Sequence, residues 1–158
     1  MEKSERVKSP IFLKIAMYCS LAERCKSEVM ERVKKEINSA DEIDEIIKIL
    51  EEEGYINELR YATSYVRDKF RFNKWGKIKI SYMLQCKKIP SSIIKEALAE
   101  IDDDTYLETL TDLVLSKSKS IKSSNSSDKK AKIYRFVASR GFESESIRQA
   151  LIQCRVDK

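Results

Sequence analysis

The chain has 158 residues, 42% of them apolar and 36% charged, with a net charge of +5. Three glycines and two prolines leave little for a turn-rich β architecture, and no apolar run reaches the roughly 18–20 residues of a membrane span. The chain has no histidine, which removes the usual zinc sites and the Ser-His and Cys-His nucleophile pairs.

Residues 1–10 form a polar leader that ends in Ser9-Pro10, a pair that favours an extended approach to a helix. The leader has no apolar segment of a secretory signal, so a cytoplasmic protein is expected, with these ten residues loosely ordered. From residue 11 to 54 a first helical unit is expected, with Ile11, Ile15 and Cys19 four apart on one face. Ser39-Ala40-Asp41-Glu42 has the form of a capping box, and Gly54 stands where a helix end needs a left-handed residue. Between them seven acids, Asp41, Glu42, Asp44, Glu45, Glu51, Glu52 and Glu53, face the single Lys48, which makes this helix a negative surface.

A second unit is expected over residues 55–101. Ala62, Val66 and Phe70 share a helix face, the connection Phe72-Asn73-Lys74-Trp75-Gly76 follows, and Ile80 and Leu84 mark a second helix. After a turn at Lys88-Ile89-Pro90, a third helix carries Ile94, Ala97, Leu98 and Ile101. The charge here is reversed: Arg67, Lys69, Arg71, Lys74, Lys77, Lys79, Lys87 and Lys88 oppose Asp68 alone, a local field suited to anionic partners. Lys74, Lys77 and Lys79 are expected in solvent. Phe70 reads as packing, and Phe72 and Trp75 as core or helix-joint residues, with base stacking or partner contact as the alternative. Gly76 is expected to let two helices meet at a tight angle.

A third unit is expected over 102–158. Asp102-Asp103-Asp104 suits a helix N-terminus, and Tyr106, Leu107, Leu110, Leu113 and Val114 follow at helical spacing. The Ser/Lys-rich segment 116–128 reads as a flexible insertion inside the unit. Beyond it Lys129, Lys130, Lys132, Arg135 and Arg140 make a second basic surface, and Ser144 is expected to cap the last helix.

The three units are versions of one pattern. An offset of 53 carries Ile80, Leu84, Ile94, Ala97, Leu98 and Ile101 onto Ile133, Val137, Ile147, Ala150, Leu151 and Cys154, and the turn residue Ile89 onto Phe142. An offset of 51 in the other direction reaches Val29, Val33, Ile43, Ile46, Ile47 and Leu50. A period near 50 residues marks a helical array whose units bury their apolar stripes against neighbours. The expected fold is therefore all-α, a tandem array of three three-helix repeats, elongated and curved.

The runs GYINELRYATSYVRDKF, W-G-K-I-K-I-x-x-x-L and I-P-x-x-I-I-x-x-A-L, with K-I-Y-R-F-V-A-S-R-G-F and I-R-Q-A-L further on, resemble the RecX family of bacterial regulators of the RecA recombinase. The resemblance covers roughly residues 11–154 and departs at Glu58, where the family usually has Asp, and in the Ser/Lys stretch. It implies a protein that lies along the RecA filament on single-stranded DNA and limits ATP hydrolysis, strand exchange and coprotease action, within recombination, DNA repair and the SOS response.

Catalysis is not expected. Neighbouring acids such as Asp103-Asp104 do not face one another on a helix, and no phosphate loop, H-E-x-x-H or G-x-S-x-G motif is present. Cys19, Cys25, Cys86 and Cys154 lack C-x-x-C spacing and read as buried or half-buried thiols, so neither a disulfide nor a metal site is expected, and no cofactor. A monomer that engages RecA, with weak non-specific contact to single-stranded DNA and none to membrane, is the leading reading. The alternative is a helical-repeat protein that binds DNA phosphates directly without sequence specificity. In both, the basic residues named above are the candidate contact surface.

Overall fold

The computed structural model describes residues 2–122 and 125–156. Among these, every regular element is a helix: α1 Lys3–Arg6, α2 Pro10–Leu21, α3 Lys26–Lys34, α4 Ala40–Glu52, α5 Glu58–Asn73, α6 Lys77–Cys86, α7 Ser91–Leu98, α8 Asp103–Ser120, α9 Ser126–Ser139 and α10 Ser144–Gln153. Short polar side chains set the starts of α2, α4, α8 and α9. Ser9, Ser39 and Asp102 accept from the backbone N–H three residues on, and Asn125 accepts from Ser127 and Asp128, each satisfying donors the helix itself leaves unpaired. Gly54, at φ +80°, ends α4 in the left-handed conformation. The last helix departs from expectation: Ser144 is its first residue, Glu143 holds the cap position, and neither caps it through a side chain.

The chain divides into two compact units, with boundaries within α5, within α6 and at the last residue of α7. The first comprises Met1–Tyr65 and Leu84–Ala97. Its core joins Phe12, Ile15 and Cys19 of α2 to Val29 and Val33 of α3 and to Ile43, Ile46, Ile47 and Leu50 of α4. The leader is not loose here. It forms α1, and the buried Arg6 donates to Glu45 on α4 at 2.7 Å, because a guanidinium withdrawn from water needs a carboxylate partner.

The second unit comprises Val66–Met83 and Leu98–Lys158, with α8, α9 and α10 packed on one another. Val66, Phe70, Ile80, Tyr106, Leu110, Val114, Ile133, Val137, Phe142, Ile147 and Leu151 are all buried. Phe70, Tyr106 and Phe142 stack in sequence, with centroids 5.7 Å and 5.2 Å apart.

Three further expectations are corrected. Leu98, the last residue of α7, is half-buried, whereas its equivalents Ile47 and Leu151 are buried. Cys86 ends α6 in an exposed position, unlike the buried Cys19 and Cys25 and the half-buried Cys154. The segment 116–128 is helical at both ends: α8 continues to Ser120 and α9 begins at Ser126, while residues 123 and 124 lie outside the described residues. Two forces extend α8. Lys117 rests on the Phe136 ring at 4.7 Å, and Lys117 and Lys119 place cations at the negative end of the helix dipole.

Candidate partner-binding surface

The start of α6 organises this surface, because the helix lacks a polar capping side chain at Gly76. Its free donors are taken up instead by other segments of the second unit. Gly76 N–H donates to Arg140 O at 2.7 Å, Lys77 N–H to the Tyr106 hydroxyl at 2.9 Å, and Ile78 N–H to Gly141 O at 3.0 Å. The Tyr106 hydroxyl in turn donates to Glu143. Burial foremost, and the Glu143 carboxylate after it, push the Tyr106 pKa far up, so the phenol keeps its proton.

This docking needs two bare backbones. A Cβ on Gly76 would lie 2.3 Å from Gly141 O, and one on Gly141, itself at φ +93°, would lie 2.3 Å from Lys79 Cβ. The role of Gly76 is thus approach to the α9–α10 turn, a different task from the tight helix angle expected.

Cations then settle on aromatic rings. Lys69 Nζ and Lys79 Nζ lie 5.0 Å and 4.5 Å from the centre of the Trp75 ring, Arg71 lies 5.6 Å from that of Phe72, and Lys77 4.7 Å from that of Tyr106. Distances below about 6 Å give each pair an attraction of roughly 0.5–1 kcal/mol at exposed sites. Lys77 and Lys79 are accordingly half-buried, where solvent was expected, while Arg71 and Lys74 are exposed. Phe72 is neither core nor joint: it is 74% exposed, and Trp75 is half-buried with both lysines near its ring.

Eleven of the thirteen candidate cations belong to the second unit: Arg67, Lys69, Arg71, Lys74, Lys77, Lys79, Lys129, Lys130, Lys132, Arg135 and Arg140. Within it, Arg140 donates to Asn73 O at 3.0 Å and Lys132 pairs with Asp128 at 3.1 Å. The remaining two, Lys87 and Lys88, belong to the first unit. Lys87 donates to Glu28 at 2.9 Å, and Glu28 also accepts from the Tyr61 hydroxyl. Burial alone would raise the Glu28 pKa, but the Lys87 bond and charge, helped by Tyr61, hold it below the ordinary carboxylate value. Lys87 is therefore an internal partner as much as a surface charge. Lys88, at φ +63°, occupies the left-handed position that Gly141 fills in the third repeat.

Two residues of this surface, Phe136 and Lys117, escaped the sequence reading. Lys117 and Arg140 both approach Phe136, at 4.7 Å and 5.2 Å. The spacing of Phe136 and Arg140, four apart at a helix end, was the available signal. Nothing in the sequence pointed to Lys117.

An all-α chain of three-helix repeats, with cations and aromatic rings gathered about the start of α6, is a helical-repeat protein. Its second and third repeats match known domains. Residues 57–98 match the family model described as RecX, second three-helix domain, and residues 104–151 match RecX, third three-helix domain. A protein named Regulatory protein RecX from Chlorobium phaeobacteroides is 30% identical over 131 residues, covering 83% of this chain and 84% of the relative. Another of that name from Clostridium acetobutylicum is 33% identical over 134 residues, covering 80% of this chain and 61% of the relative. The crystal structure of RecX from Lactobacillus salivarius superposes with a TM-score of 0.84 at 26% identity, covering 92% of this chain and 94% of that one. The chain belongs to the RecX family, whose curated members are named as regulatory proteins. No helix among the described residues is long and apolar enough to cross a membrane.

Proposed function

We propose that this chain modulates RecA without catalysing a reaction of its own, binding along the RecA filament on single-stranded DNA and limiting its ATPase, strand-exchange and coprotease activities. It acts as a cytoplasmic monomer in recombination, DNA repair and the SOS response. Family membership supports the regulatory role, and the cationic surface of the second unit is the observation that carries the mode of attachment. Cations ordered on aromatic rings are presented with little left to lose in side-chain freedom when an anionic partner docks. Complementary charge of this kind favours fast and oriented docking more than raw affinity.

The test is RecA's ATPase on single-stranded DNA, with co-sedimentation on preformed RecA filaments and on the same DNA without RecA. Arg71→Glu with Lys74→Glu is the informative variant, because both side chains are exposed and surface changes usually alter stability by only about 0.5 kcal/mol. Charge reversal at Lys77 or Lys79 would instead put a carboxylate at a half-buried position against the Tyr106 or Trp75 ring. The double variant is expected to fold, to relieve ATPase suppression and to sediment poorly with filaments. Full suppression by the folded double variant would move the active surface elsewhere, with the acidic α4 next. Equal retention with and without RecA, and no effect on ATPase, would favour direct binding to DNA phosphates.

A further inference from the structure

The mode of attachment has a second component besides charge. Around the start of α6 the second unit exposes large apolar side chains in a cationic setting: Phe72 is 74% exposed, Ile78 55% and Tyr82 62%. Ile78 and Tyr82, four apart, share one face of α6. The repeat does not require Ile78 and Tyr82, nor the neighbouring Trp75. The positions equivalent to Trp75, Ile78 and Tyr82 are Arg24, Ser27 and Glu31 in the first repeat and Asp128, Ala131 and Arg135 in the third, so the scaffold folds with polar or small residues there.

We propose that Phe72, with Trp75 and Tyr82, stacks unpaired bases of single-stranded nucleic acid while the neighbouring cations hold its phosphates. The proposal rests on the DNA contact in the functional reading above and gives that contact a chemical preference for exposed bases. Charge decides the occupant. Phe72 has Arg71 at 5.6 Å and Trp75 has Lys69 and Lys79 at 5.0 Å and 4.5 Å, so an apolar protein surface laid here would have to strip water from those cations. A single strand instead offers a phosphate to each cation and a π face to each ring. Positively charged grooves with aromatic platforms are the general solution for binding single strands without sequence preference.

The probes are a thymidine oligonucleotide of about 16 nucleotides and an abasic strand with the same number of phosphates, each bound to the full chain without RecA. The wild type is expected to bind the base-bearing strand at least about fivefold more tightly, since one stacked base is worth roughly fivefold to a hundredfold. Fluorescence of Trp75, the single tryptophan, should be quenched only by the strand that carries bases. Phe72→Ala should bring the base-bearing strand close to the abasic level, and Phe72→Trp should preserve the preference. Lys74→Gln should weaken both strands alike. Equal affinity for the two strands, or a Phe72→Ala variant that keeps the full preference, overturns the proposal. Loss of filament attachment by Phe72→Ala with unaltered binding to both strands would also overturn it, by assigning the ring to a protein contact. Because the assay contains no RecA, stacking can fail while ATPase suppression stands, and the reverse.

Discussion

Replacing Gly76 by alanine is the most direct challenge to the way the second unit is held together. The added Cβ would stand 2.3 Å from Gly141 O, 2.4 Å from its carbonyl carbon and 2.5 Å from Phe142 N, all backbone atoms that cannot swing aside. Ordinary contact needs about 3.5–4 Å, so the α9–α10 turn must withdraw by about an ångström or more. Withdrawal breaks the bonds from Gly76 and Ile78 to Arg140 O and Gly141 O. Two backbone bonds at about 1 kcal/mol each, with roughly 1–3 kcal/mol of overpacking strain, give a cost of about 3–5 kcal/mol. Gly54→Ala is the control. Gly54 is left-handed at φ +80°, but a methyl added there would meet no heavy atom within 4 Å, so only the backbone cost of about 1–2 kcal/mol applies. Gly141→Ala combines both penalties, with φ +93° and Lys79 Cβ at 2.3 Å, and should be the worst of the three. Urea unfolding followed by far-ultraviolet circular dichroism and by Trp75 fluorescence measures the series. A Gly76→Ala variant as stable as Gly54→Ala would refute the backbone docking.

Two other outcomes follow from burial and charge. Leu151→Ala should cost about 2–5 kcal/mol, as large-to-small changes at fully buried sites do, whereas Leu98→Ala, at a half-buried helix end, should cost less than about 2 kcal/mol in the same urea titration; equal losses would count against the burial described. Glu28 has a lowered pKa in the folded chain, so it contributes stability above the ordinary Glu value near pH 4.3, and that contribution is lost as pH falls through the folded value. In Lys87→Met the burial of Glu28 is opposed only by the Tyr61 and Cys25 hydrogen bonds, and its pKa should rise. The advantage of the wild type over this variant should then widen from about pH 4 to pH 7, and a constant difference would show that the pair does not set the titration.

The apolar frame was legible because it depends only on period. Val29, Ile80 and Ile133 stand at one register, as do Val33, Leu84 and Val137, and all six are buried. Helix starts set by Ser39 and Asp102 were legible for a similar reason, since capping is a contact over three residues. The mutual dependence of Gly76 and Gly141 was not, because it joins residues far apart in the chain through the shape of a turn. Phe72 was misassigned because a hydrophobic residue at a helix end fits packing and display equally well, and only the position of the neighbouring helices decides. The composition of residues 116–120 argued for a flexible segment, yet one long-range contact, Lys117 on Phe136, lies within a helix that continues through them. The basic residues were found as a group, but composition could not separate Lys87, committed to Glu28, from Lys74, exposed at the end of α5.

The repeats also explain why charge could be read less well than burial. Lys26, Lys77 and Lys130 occupy one register, and Glu28, Lys79 and Lys132 occupy another two residues on. At the second of these the same place in the frame does three different things: Glu28 accepts from Lys87 and Tyr61, Lys79 covers Trp75, and Lys132 pairs with Asp128. Each arrangement is compatible with the buried residues beside it, since Val29, Ile80 and Ile133 are all fully buried whichever charge lies next to them. A side chain off the apolar stripe adds little to stability when exposed, so the frame leaves its identity free. Where the frame leaves a choice free and the chain still places large apolar rings in water, folding alone does not account for the choice. In this chain that condition is met in the connection and first turns of α6, from Phe72 to Tyr82, and it is there that a partner has most to gain from contact.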